Sequence, residues 1–212
     1  SVSFTVSPAS ATALTYAVGP SNVLAGVVLA PAVQVKVNDA FGNGVPGGLV
    51  SLSLVGTGTL TGGAAVTSDA NGLATFAALS VNLVGSKQLT AASGVLPSVT
   101  SAAFSVSPAA AAALTFAVAP GNVVAGVAIA PAVQVRVSDA FGNAVPGQPL
   151  SLALVGTGTL TGGAALTSDA AGLATFSALS VNLAGSKQLT ASSGVVPSVS
   201  SAAFTVSPAA AV

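Results

Sequence analysis

The chain has 212 residues, enough for one large domain or two of about 100 residues each, and its four lysines and arginines balance four aspartates, so the formal net charge is zero. Histidine, cysteine, methionine, tryptophan and glutamate are all absent, which removes the imidazole base, the thiolate nucleophile, the disulfide and the zinc site, and with them most enzyme chemistry. No basic patch exists to neutralise phosphates, so nucleic acid is not an expected partner. The apolar fraction of 52% supplies ample core, but with aromatics at only 4% that core must be built from Val, Leu and Ala. The uncharged stretches 1–35 and 88–135 raise the question of a membrane span. The second is broken by Pro108, Pro120 and Pro131, with Gly121 and Gly126 between them. A spanning helix needs roughly 20 continuous apolar residues, so no membrane insertion is predicted. No leader-like pattern opens the sequence, as expected of a mature protein or a fragment.

In chain order, Val2-Ser3-Phe4-Thr5-Val6 alternates loosely, as a strand does. Val33-Gln34-Val35-Lys36-Val37 alternates strictly and puts its valines on one face. The turn signal Phe41-Gly42-Asn43-Gly44 follows, then the alternating Ser51–Leu54, then Gly62-Gly63 and Asp69-Ala70-Asn71-Gly72. Leu73–Leu79 and Lys87–Ala91 are two further predicted strands, with Ser93-Gly94 closing the last. The alanine-rich segment Pro108–Ala113 is too short to hold a helix. Beyond it the whole pattern recurs. Shifted by 100 residues the chain aligns on itself without a gap, and residues 1–100 share 75 identities with 101–200. Seven or so short strands per copy, punctuated by turns, predict an all-β sandwich in each.

The frame of the repeat is informative. Segment 1–8 (SVSFTVSP) matches Ala102–Pro108 and Ala202–Pro208, which close each copy. Two complete units are therefore expected at 13–107 and 113–207, preceded by one extra closing strand at 1–8. That strand belongs either to an upstream repeat or, through Val2, Phe4 and Val6, to another subunit that it pairs with.

The runs VQVKVNDAFGNGVPG (33–47), TSDANGLATF (67–76) and LTAASG (89–94), the first two repeated as VQVRVSDAFGNAVPG and TSDAAGLATF, resemble the bacterial immunoglobulin-like domains of the invasin and intimin type. The resemblance covers nearly all of both copies. It implies two tandem immunoglobulin-like β-sandwiches, strung in rod-like extracellular arrays that hold an adhesive tip away from a cell surface.

Charged residues make up 4% of the chain, whereas a soluble domain's surface is ordinarily about 25–35% charged. The exterior must then be Ala, Val, Ser, Thr and Gly, which packs well against copies of itself. A structural repeat of an extracellular fibre, filament or sheath is the expected role, with further copies of the chain as partners. The alternative is the stalk or binding segment of a surface adhesin, contacting a host or a glycan. A binding loop should diverge between copies; loops 41–43 and 67–69 do not, and Gly48/Gln148 and Leu49/Pro149 do.

Candidate chemistry is sparse. Asp39, Asp69, Asp139 and Asp169 are the only carboxylate side chains, all in turn sequences where an aspartate caps its own backbone two residues on. Sandwich connectivity gathers Asp39, Asn43, Asp69 and Asn71 at one end, where two carboxylates make at best a weak calcium site. No cofactor and no catalytic residue is expected. Lys87, read as lying in a turn at the opposite end, is positioned to meet Asp139 or Asp169 across a domain junction. Phe41, Phe76, Phe104 and Phe116 are expected to fill the core, Phe41 from within a turn. The glycines of Gly56-Thr57-Gly58 and Gly62-Gly63 lack the Lys-Ser/Thr and helix onset of a phosphate loop.

Overall fold

The computed structural model describes residues 2–94 and 96–210. Ser1, at the head of the expected extra strand, lies outside them. The chain divides into two units, Ser1–Pro108 and Ala109–Val212, and every regular element in the described residues is a strand.

The first unit contains β1 (Ala13–Val18), β2 (Val23–Leu24), β3 (Val33–Asn38), β4 (Leu49–Val55), β5 (Leu60–Thr61), β6 (Val66–Thr67), β7 (Leu73–Phe76), β8 (Ser80–Val81), β9 (Gly85–Ala92), β10 (Val99–Thr100) and β11 (Phe104–Ser107). One sheet has the order β1-β3-β7 and a larger one β2-β11-β9-β4-β6, with β10 also on β9, while β5 and β8 pair separately as a two-stranded ribbon. All pairings are antiparallel except that of β11 with β2, where Val106 lies opposite Val23 and Ser107 opposite Leu24. The strict alternation of β3 does what its sequence asks: Val33, Val35 and Val37 are fully buried, while Gln34 and Lys36 are not.

The second unit repeats the arrangement with β12 (Ala111–Val118), β13 (Val123–Val124), β14 (Val133–Asp139), β15 (Pro149–Val155), β16 (Leu160–Thr161), β17 (Leu166–Thr167), β18 (Leu173–Phe176), β19 (Ser180–Val181), β20 (Gly185–Ser192), β21 (Val199–Ser200) and β22 (Phe204–Ser207). Its core joins Val133, Val135, Val137 and Phe176 of one sheet to Leu150, Leu152, Leu189 and Phe204 of the other. That continuity across two sheets makes each unit a sandwich. Phe76 and Phe104 are buried as expected, and Phe116 packs against the core of its unit. Phe41 is not in the core. It sits 83% exposed at the tip of its turn, followed by Gly42 at φ +84°.

Residues 2–8 carry the sequence read as a closing strand for an upstream repeat or another subunit. They form no strand and are exposed throughout, although their matches in β11 and β22 are paired and buried.

The two sheets of the first unit are also joined by a hydrogen bond from the Tyr16 hydroxyl of β1 to the Leu89 carbonyl of β9, at 2.8 Å. Burial pushes the Tyr16 phenol up to about 12. The folded chain thus favours the neutral phenol, and its contribution is complete below the ordinary tyrosine value of about 10 and lost as the pH rises from there towards 12. Phe116 occupies the equivalent place in the second unit and has no hydroxyl. Tyr16→Phe is therefore expected to cost about 0.5–1.5 kcal/mol at neutral pH and to reduce the alkaline loss of stability, as read by urea unfolding at stepped pH. Leu89, fully buried in β9, sets the scale of the core: Leu89→Ala is expected to destabilise its unit by about 2–5 kcal/mol, measured from the shift in urea midpoint.

Candidate functional site

The end of β3 and its counterpart in β14 carry the most densely bonded polar group of each unit. Asp39 follows the last residue of β3 as the chain turns away from the sheet. Its Oδ1 accepts the backbone N–H groups of Phe41 and Asn43, both at 2.9 Å, the side chain standing in for a turn carbonyl. Its Oδ2 accepts the Asn43 side-chain amide at 2.9 Å and the Ala9 backbone N–H at 3.0 Å. Asp139 repeats all four bonds, with Phe141, Asn143 and Ala109.

The Ala9 and Ala109 bonds carry the mechanical meaning. Each alanine follows directly on a Ser-Pro dipeptide, at the point where the chain enters its sandwich. Proline fixes φ on one side of that point, and the carboxylate fixes the next N–H on the other. The linker residue Ala109 is thereby held to the turn that closes β14. Sequence reasoning missed this bond, since a backbone N–H carries no side-chain signature. A trace was present: the Pro-Ala pair precedes its aspartate by the same spacing in both copies.

The Asn43 side-chain bond is the largest influence on Asp39, and with the N–H groups of Ala9, Asn43 and Phe41 it outweighs burial and draws the carboxyl down to about 2. At Asp139 burial pushes the carboxyl up, but the bonds from Asn143, Ala109 and Phe141 together prevail and leave it lowered.

The Asp39 and Asp69 loops do meet, as expected. Val37 N–H donates to the Gly72 carbonyl and Val45 N–H to the Val37 carbonyl, at 2.8 and 2.9 Å. Gly72 has φ +77°, and a Cβ there would come within 2.6 Å of Gly44 Cα, so only glycine allows the approach. Asp69 Oδ1 accepts the N–H groups of Asn71 and Leu73. Four donors converge on the Asp39 carboxylate and two on Asp69 Oδ1, and among the described residues no group of three or more acidic, histidine or cysteine side chains gathers.

Lys87 lies in β9, within the strand predicted over Lys87–Ala91, and is only 2% exposed. Its ammonium donates to Thr57 Oγ1 at 3.0 Å and to the Val84 carbonyl at 3.1 Å, both within its own unit. A buried ammonium must find acceptors where it lies. Lys187 makes the equivalent bonds to Thr157 and Ala184. Lys36 and Arg136 are half-buried and donate to the carbonyls of Gly42 and Gly142. Of the eight charged side chains, then, Asp39, Lys87, Asp139 and Lys187 are buried, and only Asp69 and Asp169 stand exposed.

The Escherichia coli adhesin FdeC aligns over 96% of this chain at 22% identity and a TM-score of 0.55. The fold is that of tandem bacterial immunoglobulin-like domains. The chain spans 66% of the FdeC chain's length. Yersinia pseudotuberculosis InvD aligns over 93% of this chain and 57% of its own, at 20% identity and a TM-score of 0.49. Invasin, described as a bacterial integrin-binding protein, aligns over 91% of this chain and 39% of its own, at 18% identity and a TM-score of 0.42. No protein-family model and no curated protein matches the chain. Among the described residues no helix is long and apolar enough to cross a membrane.

The aspartate turns generate an acid-stability prediction. Because the bonds to Asp39 and Asp139 favour their ionised carboxylates in the folded chain, the stabilisation is complete above the ordinary aspartate value of about 3.9 and disappears as the pH falls towards the folded value of about 2 at Asp39. With no histidine or glutamate to titrate, the thermal midpoint should be flat from about pH 5 to 8 and fall between about pH 4 and 2. Asp39→Ala with Asp139→Ala should lower the neutral midpoint and flatten the acid fall, measured by circular dichroism. Asp139→Ala alone should release Ala109, raising its amide exchange rate at least about tenfold by NMR.

Proposed function

We propose that the chain is a structural segment of an extracellular bacterial filament or sheath, built to associate with copies of itself at the cell surface. The observation that carries this reading is the withdrawal of charge. A chain with eight charged side chains buries four of them, and so exposes even less charge than its composition implies. Apolar side chains stand exposed instead, at matching places in both units: Leu24 and Val124, Val27 and Val127, Phe41 and Phe141, Val55 and Val155. Leu24, Val27 and Val28 lie together around a turn in which Val27 N–H donates to the Leu24 carbonyl. Leu24 also ends β2, an edge strand of the larger sheet, and such edges are templates for pairing with another chain. An uncharged exterior provides no repulsion to keep copies apart. The Asp139 bond to Ala109 suits the mechanical side of the role, since it limits freedom at the entry to a unit.

The fold shared with the adhesin FdeC supports a second reading, a stalk segment of a surface adhesin. Sedimentation velocity of the purified chain separates the two. Concentration-dependent association is expected, and because ions contribute little to the contact, it should change less than about twofold between roughly 50 and 500 mM sodium chloride. Val27→Lys with Val127→Lys should weaken association at least about tenfold by placing charge on the exposed apolar turns. A monomer at millimolar concentration would favour the stalk.

A further inference from the structure

Three stretches of the chain share one strand sequence, and the structure provides places for two. Phe104–Ser107 is β11 and Phe204–Ser207 is β22. Residues 4–9 are identical to residues 204–209, reading FTVSPA in both. In β22 the first and third of these residues, Phe204 and Val206, are 3% and 1% exposed; Phe4 and Val6 are 85% and 78% exposed. The alternation is the same, one face apolar and the other hydroxylated, and only the burial is missing.

The exit from the segment is also that of a closing strand. After β11 the chain runs through Ser107 and Pro108 to Ala109, whose N–H donates to Asp139 Oδ2 at 3.0 Å. After residues 2–6 it runs through Ser7 and Pro8 to Ala9, whose N–H donates to Asp39 Oδ2 at the same distance. Segment 2–9 therefore joins the first unit as 102–109 joins the second. A plain linker would need neither the Phe-x-Val alternation nor this anchored exit.

We infer that residues 3–7 are the closing strand of a further sandwich of this same repeat, a copy that lacks its own counterpart of β11, with Phe4 and Val6 entering that sandwich's core. The pairing follows from β11. Phe104 lies opposite Lys87, Ser105 opposite Ser86 and Val106 opposite Gly85, all antiparallel, while Val106 and Ser107 run parallel to Val23 and Leu24. The recipient must therefore present a Gly-Ser-Lys strand end on one side and a short Val-Leu edge on the other, over a Val- and Leu-lined core. This inference is independent of self-association through the outer surface, and either can fail without the other.

The test is an extended protein in which a copy of residues 13–100 is placed directly ahead of Ser1 of the whole chain, so that residues 3–7 fall where a closing strand is needed. Hydrogen exchange read by NMR is expected to show the amides of residues 4–7 slowed at least about a thousandfold relative to the 212-residue chain. The added copy should become protease-resistant alongside the two resident units. Phe4→Ser with Val6→Ser in the extended protein should unfold the added copy alone, with amides of 113–207 unchanged as the internal control. The inference is overturned if the added copy stays unprotected while the resident units remain folded. It is equally overturned if the copy folds while residues 4–7 still exchange freely, or if the double substitution leaves it intact.

Discussion

Scarcity of charge is the constraint from which the rest of the structure follows. With eight charged side chains of opposite sign in balance, the sandwiches draw their stability from valine, leucine and alanine buried between two sheets, the non-directional term that dominates folding. The few charges are then free for directed work. Asp39 and Asp139 organise a turn and the entry of the chain; Lys87 and Lys187 satisfy carbonyl and hydroxyl acceptors inside their own units. A protein with a charged exterior would spread such groups over its surface. Here they act as internal fasteners, and the exterior is left nearly neutral.

How much of this was legible in the letters depended on length and on side-chain type. The six-residue β3 declares itself by strict period two, because one face is buried and the other is not. The two-residue strands β2, β5, β6, β8 and β10 carry no period to read. The predicted strand Leu73–Leu79 ends at Phe76, where the chain turns before β8, since a run of Ala and Leu has no polar beat to mark its end. At the candidate site the loop contact between the two aspartate turns was legible from connectivity. Lys87 was not, because a lysine is placed outside by default and its burial depends on Thr57 and the Val84 carbonyl, which lie apart from it in sequence or on the main chain. The Ala109 anchor left only the repeated Pro-Ala spacing ahead of its aspartate as a trace, because its donor is backbone.

The 25 differences between the copies show which contacts the fold tolerates losing. Tyr16 bridges the sheets in one unit, and Phe116 fills the same place in the other by packing alone. Gly44 and Asn71 become Ala144 and Ala171 together. In the first unit the Gly44 chain runs so close that a Cβ on Gly72 would approach its Cα to 2.6 Å; in the second, the same construction on Gly172 finds Ala144 Cα at 3.2 Å. The loop has stepped back by enough to house one methyl. The carboxylate bonds of Asp139 survive that shift, so the turn, rather than the loop packing, fixes the local geometry.

The six residues FTVSPA occur twice, once as a buried strand and once as exposed chain. Local sequence cannot account for the difference, since it is the same; what differs is whether a sheet edge lies within reach. Phe204 pairs with Lys187 and Val206 with Gly185 in β20 because the intervening chain delivers them there. The first unit has filled its corresponding edge with Phe104 and Val106, and so leaves Phe4 and Val6 without a place. Strand propensity thus acts as a permission, and the tertiary context decides whether it is used. In a tandem array this arrangement lets each sandwich take its last strand from the segment that leads into the next, and the Ser-Pro-Ala step after that strand, clamped by an aspartate, passes directly from closing one unit to opening another.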